Sequence, residues 1–539
     1  MISPLNIDTL DDQVLTERVA SFQGGADSFH SAIDLPPQTS QIMRNFLVQD
    51  NFYAVTRYGA DAITGAALDT GIIQGLQWFS VPGSVGNSLL AAVNRRIWKW
   101  DGTNATQLSN SFTLSDATSP LASIQAFGKV YFSDGVQQWY SWDGNVFTGL
   151  GTASGVSGNP PVGTTIMCFH TGRVFCSGTI TNQGTTTNDA IFASAIAGPT
   201  QFDWMTWSFR VSAGDGDKIQ GLASLQDFWL LVMKQNSLWL VNADPSATSA
   251  DLWQIQNLTR GIGLVAPRAW AQNGNDVIFL AQDGIRSVQR MAAAVDQYEV
   301  VPPLSEPVKA YIDRINWQYV STSCAWRYHQ WILFAIPVDA ATSPNFVLVF
   351  NTRTQTWMGY WDGWTPTCFA TTFFNGSQNL MIGDSLGKVN QWKDDKSEDL
   401  ASTFQDNGVN IPSLVRSKAF NFEWPLNAKD LEFVEIRFTD TETVAQGQMY
   451  LDDQAQPQFT MDTRSAGPNL PVNLDFYLAS GGPQVFRISM RGMPDFDECF
   501  LEISATSGKL KLKNYTLTAY LNTFLNSSYY TQIPSNNGN

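Results

Sequence analysis

Short apolar runs and turn signals alternate along most of this chain, at the spacing of β-strands and tight loops. Ser88–Val93 and Arg96–Trp100 read as a hairpin. Ile124–Phe127, Val130–Ser133 and Val136–Trp142 form the next group, followed by Ile166–His170, Arg173–Ser177 and Ala190–Ala193. Lys218–Ser224, Phe228–Lys234 and Ser237–Val241 are rich in Trp, Leu and Val, with turns at Leu225-Gln226-Asp227 and Gln235-Asn236. Ala266–Gln272, Val277–Ala281 and Ile285–Val288 make another unit, and Thr322–Tyr328, Trp331–Ile336, Phe346–Asn351 and Thr356–Tyr360 a four-stranded one. Cys368–Phe374, Leu380–Gly383 and Val389–Lys393 complete the series. One helix is expected near Glu306–Asn316, with Pro307 in its first turn and Val308, Tyr311 and Ile312 at helical spacing.

A repeated phrase gives the period. Trp98-Lys99-Trp100-Asp101-Gly102 returns as Tyr140-Ser141-Trp142-Asp143-Gly144, and Trp361-Asp362-Gly363 is a third copy. Asp-Gly is a strong tight-turn signal. A strand-plus-turn phrase returning at roughly 40–50 residues is propeller spacing. The expected fold is therefore all-β: an irregular β-propeller of about seven blades over residues 71–398. Residues 1–70 read as an N-terminal arm, broken at Gly24-Gly25 and Leu35-Pro36-Pro37, that packs on something else. From 399 to 525 the repeat stops, and alternating strands such as Phe433–Thr439 and Val485–Met490 predict a β-sandwich. Residues 526–539 read as a polar tail.

Composition narrows the chemistry. Of 539 residues, 43% are apolar and 15% charged, so a large core is available. No apolar run is long enough to span a membrane, and the first residues carry no signal-peptide pattern. Net charge is −16, which argues against tight binding to a phosphate backbone. An acidic wall does let DNA slide past without sticking. Five cysteines are scattered; Cys168 and Cys176 flank a turn at Thr171-Gly172-Arg173 and read as buried thiols, a cross-strand disulfide being the alternative. His30, His170 and His329 form no ligand motif, and no metal or cofactor site is expected.

No nucleophile elbow, zinc-protease motif or phosphate-binding loop is present. Gly214-Asp215-Gly216-Asp217 has the look of a calcium loop but lacks the remaining ligand spacing, and reads as a turn; Asp452-Asp453 is the other acidic cluster. Ser133-Asp134-Gly135 followed by Trp139 resembles the structural Asp-box turn of sialidase propellers. Asp134, Asp217 and Asp283 are candidate carboxylates that spacing alone does not pair. The Trp residues of the strands, among them Trp78, Trp98, Trp229, Trp239 and Trp331, read as blade cores. The chain is therefore not expected to be an enzyme.

A series of ordered phrases completes the sequence reading. Phe22-Gln23-Gly24-Gly25, Leu35-Pro36-Pro37-Gln38-Thr39-Ser40, Asn45 and Arg57-Tyr58-Gly59 open it. Gly214–Leu222, Lys234-Gln235-Asn236-Ser237-Leu238-Trp239 and Gly261–Arg268 follow, leading to Phe279-Leu280 and Asp283-Gly284-Ile285. Phe350-Asn351-Thr352-Arg353-Thr354-Gln355-Thr356-Trp357 comes late. Together they resemble bacteriophage tail nozzle proteins of short-tailed phages, the tail tubular protein B type, over residues 22 to about 393. The resemblance implies a virion protein assembled in the host cytoplasm: a homo-oligomer, a ring of six, that extends the DNA channel beneath a tail adaptor, carries fibre or tail-tip proteins and passes genomic DNA. The Gly/Thr/Asn-rich stretch Thr179–Asp189, with Asn182, Gly184 and Asn188, is a candidate channel loop. The rival readings are a tail-tip adhesin for surface glycan and a propeller depolymerase.

Overall fold

The computed structural model describes residues 14–80, 86–108, 113–151, 158–182, 184–226, 228–294, 301–374, 376–393, 401–425, 427–463 and 483–521. They divide into two compact units: residues 58–409, and residues 1–57 together with 410–539.

The first unit is a β-propeller. Seven groups of antiparallel strands follow one another along the chain. Their innermost strands are Ile73–Phe79, Ala122–Ala126, Thr164–His170, Ile219–Ser224, Trp270–Asn273, Cys324–Tyr328 and Pro366–Phe374, which we number as blades 1 to 7. Side chains tie neighbouring inner strands together: Ser123 donates to Gln77, Gln272 to the Ser224 carbonyl, and Trp326 to Thr371. Six blades have four strands and blade 5 has three. After its third strand, Gly284–Ser287, the chain turns into a helix, Val288–Ala294, that the hydrophobic pattern did not announce. Good helix formers Met291-Ala292-Ala293-Ala294 follow Ser287, whose hydroxyl accepts the Arg290 N–H as a cap. The expected helix near Glu306–Asn316 is shorter than read: a 3₁₀ turn at Glu306–Val308 runs into Lys309–Ile312. Val308, Tyr311 and Ile312 seal the core between blades 5 and 6.

Apolar cores lie between the blades, because each sheet buries both faces against its neighbours. Phe79, Leu90, Val130, Phe132 and Trp142 join blades 1 and 2. Phe175, Ile191, Leu222 and Val232 join blades 3 and 4. Trp361 and Trp331 pack on Trp392 between blades 6 and 7. The ring closes by pairing distant segments. Ala60–Ala62 is the outer strand of blade 7, in register with Val389–Trp392. Ile73 and Leu89 of blade 1 share a core with Cys368 and Met381 of blade 7.

The second unit is a β-sandwich built from both ends of the chain. Its first sheet runs Phe46–Val48, Ala54–Thr56, Lys511–Leu521, Lys429–Thr439, Pro483–Ser489, and Val14–Val19 also pairs with Lys511–Leu521. Its second runs Thr39–Arg44, Ser413–Ser417, Cys499–Ala505, Val444–Leu451. Burial alternates along Lys429–Thr439 and Val444–Leu451, as a sheet with one face on the core requires. The expected arm of residues 1–70 is thus divided. Up to Arg57 it supplies strands to the sandwich, and from Tyr58 onward it closes the propeller. The cause is pairing partners supplied from beyond residue 388, which local pattern does not reveal. The tail at 526–539 lies outside the described residues.

Candidate functional site

The turn glycines and aspartates that mark the repeat are structural. In the Trp-Asp-Gly phrase of blade 1, the Asp101 carboxylate accepts the backbone N–H groups of Thr103 and Asn104, and Gly102 has φ +101°. Asp143 does the same for Asn145 and Val146 in blade 2. These are side-chain-capped turns. The hydrogen bonds from Asn104 and Val146, respectively, lead in holding both carboxyls below their usual pKa. The tryptophans before them, Trp100, Trp142 and Trp361, are buried.

The three carboxylates considered for glycoside chemistry lie on different blades and are each committed locally. Asp134 accepts from Val136, Gln137 and both the N–H and hydroxyl of Ser115. Trp139 beside it is fully buried and donates to the Pro161 carbonyl. Asp217 caps Asn236 and Ser237, and Asp283 pairs with Arg286. In the Gly214–Asp217 loop, the buried Lys234 ammonium reaches both oxygens of Asp215 at 2.7 Å. That loop is an ion-paired turn, and no metal-binding cluster exists among the described residues.

The candidate channel stretch is a hairpin. Ile180–Asn182 pairs with Thr185–Thr187, and Gly184 takes φ +80° between them. Ile180 is buried in the core between blades 2 and 3, while Thr179, Gly184 and Asn188 are exposed. Asp189 stands apart from the rest. It is buried, held at both oxygens by Arg210 at 2.9 and 2.6 Å, and accepts the Gly214 N–H. Burial pushes its carboxyl up, but Arg210 and Gly214 outweigh that and leave its pKa lowered. Asp189 therefore anchors the hairpin's base.

Cys168 and Cys176 are free thiols. Cys168 pairs in register with Phe175, and Met167 with Cys176, so the two sulfurs point to opposite faces of blade 3. One enters the core with blade 4 and the other the core with blade 2. His170 Nδ1 lies 2.8 Å from the Ser224 hydroxyl, which superficially resembles a nucleophile–base pair. The imidazole is buried, its pKa is lowered by desolvation, and its Nε2 has no hydrogen-bond partner among the described residues. We read it as a core contact between blades 3 and 4.

Sequence reasoning missed two features. Asn45 and Arg57 form a buried lock in the sandwich: Arg57 Nε donates to Asn45 Oδ1, and Asn45 Nδ2 donates to the Pro412 carbonyl. Large apolar residues also stand exposed on one propeller face, among them Phe127 and Phe228. The signal for these was present, since each borders a hairpin turn, where a large apolar residue has no core to enter.

The chain matches no protein-family description, and no curated protein matches it in sequence. Among solved structures it is similar to BamB from Moraxella catarrhalis, at 13% identity over 64% of this chain and 99% of that one, TM-score 0.37. It is similar to Saccharomyces cerevisiae Sqt1 at 9% identity over 60% and 96%, TM-score 0.37. The computationally designed Ika8 protein aligns at 12% identity over 62% and 99%, TM-score 0.35.

Proposed function

We propose that this chain is a structural virion protein of a phage tail, one subunit of a six-membered nozzle ring that extends the DNA channel and serves genome retention and ejection. The observation that carries the reading is the ordered series of phrases from Gly24-Gly25 to Trp357. Several of its members have a structural reason to be there. Asn45 and Arg57 are mutually locked, and a Cβ on Gly59 would lie 1.8 Å from the Gln405 carbonyl oxygen. Asn45 and Arg57 fix the backbone within the sandwich, and Gly59 fixes it within the propeller. The net charge of −16 suits a conduit in which DNA slides without binding. A propeller whose candidate carboxylates Asp134, Asp217 and Asp283 are engaged in turns and ion pairs suits a rigid wall better than an active site. Tail adaptor and fibre or tail-tip proteins are the proposed neighbours.

The test is the symmetry and stacking position of this chain in a virion reconstruction. Six copies around an axial channel with acidic side chains inward support the nozzle. A trimer with a solvent-exposed aromatic groove overturns it in favour of a glycan-binding adhesin. Reducing sugars released from host polysaccharide, and lost on replacing a carboxylate, would instead show a depolymerase. The channel-loop proposal has its own test. Removing the hairpin tip Thr181–Thr187 leaves Ile180 and the Asp189–Arg210 pair in place. If packaged DNA is retained as before, the hairpin is not a gate.

A further inference from the structure

We propose that one face of blades 2, 3 and 4 docks a partner protein that presents an apolar knob bordered by Lys and Arg. The face is defined by topology. With inner strands running in one direction, the connections from first to second strand and from third to fourth strand all emerge on the same side. Phe127, Phe169, Ile196, Met205, Phe228 and Leu252 sit on or beside those connections, and each is between 37% and 74% exposed. Single exposed apolar residues are ordinary. Six on three consecutive blades, against Val136 alone in the opposite connections of those blades among the described residues, form a patch.

Contacts link neighbouring members of the patch. The Phe127 and Phe169 rings meet edge to face at 5.5 Å. Ala197, next to Ile196, donates to the Gly172 carbonyl in the hairpin turn that follows Phe169. The Met205 loop reaches the Leu252 loop through Ala250, which donates to the Thr206 carbonyl. Phe127 also adopts φ +48°, where a bulky side chain is disfavoured by about 1 kcal/mol or more. The fold places an exposed aromatic at a turn position that Asn or Gly would fill more easily, which points to a use outside folding.

Charge decides the occupant. Asp143, Asp203, Asp244 and Asp251 stand in the same connections as the apolar residues, and Lys129 is the exposed base there. A second copy would set one acidic rim against another, within chains of net charge −16. DNA and an anionic membrane are repelled for the same reason. A sugar needs convergent hydrogen-bonding groups, which the six apolar side chains do not offer. An apolar protein surface with a basic border satisfies both the centre and the rim. This inference is independent of the nozzle reading.

The experiment uses the whole chain as bait for a displayed library of random peptides. Selected sequences should carry Trp, Phe or Leu flanked by Lys or Arg. Their dissociation constants should rise roughly tenfold or more in Phe127→Ser/Phe169→Ser, and again in Met205→Ser/Leu252→Ser, two pairs that guard against misfolding of either one. Asp143→Lys and added salt should weaken binding further. Selection of no binder, of peptides without basic residues, or of peptides that bind the variants as well as the parent overturns the proposal. So does self-association of the parent that the same substitutions abolish, which would make the occupant a second copy.

Discussion

The propeller and the sandwich are both strand-built, yet they are assembled by opposite strategies. In the propeller nearly every pairing is local: Met233 faces Leu238 across a two-residue turn, and most blades follow that plan. In the sandwich the pairings span the chain, with Leu15 facing Ala519 and Met43 facing Val415. The propeller borrows this long-range device at Ala60–Ala62 on blade 7. Local hairpins close small loops and can form early, whereas the sandwich must bring both chain ends together before its core exists. One chain therefore holds a domain readable strand by strand and another that is readable only as strands without partners.

Removal of residues 1–57 should have the largest effect. That deletes Thr39–Arg44 and Val14–Val19 from the sandwich and leaves every described propeller strand intact. Thermal unfolding of the full chain should show two cooperative transitions, and the truncated chain should retain only the propeller's. If both transitions survive, the composite domain does not depend on its N-terminal strands. The next largest effect belongs to the ring closure. Trp392 is buried beneath Trp331, Trp361 and Tyr328, and its Nε1 donates to the Tyr58 carbonyl. Trp392→Ala should destabilise the propeller transition by about 3–5 kcal/mol and leave the sandwich transition in place. Denaturant midpoints for the two transitions check this.

How much of each region was legible follows from the same contrast. The hairpin at Thr171-Gly172 was readable, and both residues adopt positive φ, at +47° and +76°. The Trp-Asp-Gly turns were readable because Asp and Gly act within four residues. The division of the N-terminal arm at Arg57 and Tyr58 was not, because its determinants are Ser413–Ser417 on one side and Val389–Trp392 on the other. Asp189 illustrates the same limit at the candidate site. It looked like part of a polar loop, but Arg210 and Gly214, distant in sequence, bury it. Gly59 tests this point at smaller scale. Gly59→Ala would press a methyl group into the Gln405 backbone and should cost about 1–3 kcal/mol in the propeller transition alone. Gly65→Ala is the control, since nothing lies near its Cβ position, although its φ of +68° carries a smaller strain.

Acidity separates the two regions by sign. Among the described residues, the shifted carboxyls of the propeller are all lowered, Asp116 to about 2, chiefly by the Ser119 hydroxyl and then the Thr118 N–H. Asp101 and Asp143 are lowered by the hydrogen bonds of their turns. In the sandwich Glu17, Asp430 and Glu498 are raised, first by burial. Like charges add to this, Asp495 and Glu432 around Asp430, and Asp453, Asp452 and Asp497 around Glu498. For the lowered groups the unfolded chain binds more protons than the native one, so stability is complete above the unfolded value of 3.8. It is lost as pH falls toward about 2. For the raised groups the native state binds more protons. Their ionisation destabilises the sandwich at neutral pH, and that burden lifts as pH falls through the raised values toward 4.5 for Glu and 3.8 for Asp. Mild acidification should therefore strengthen the sandwich transition, while the propeller's falls modestly as pH drops below 6.5 because burial denies His170 the proton that the unfolded chain accepts, and stronger acid should weaken the propeller further. Asp430→Asn supplies the decisive measurement. It removes one ionisation that burial and two neighbouring carboxylates oppose, so it should raise the sandwich transition at neutral pH and flatten its pH slope. An unchanged slope in that variant would show that Asp430 does not set the sandwich's pH response.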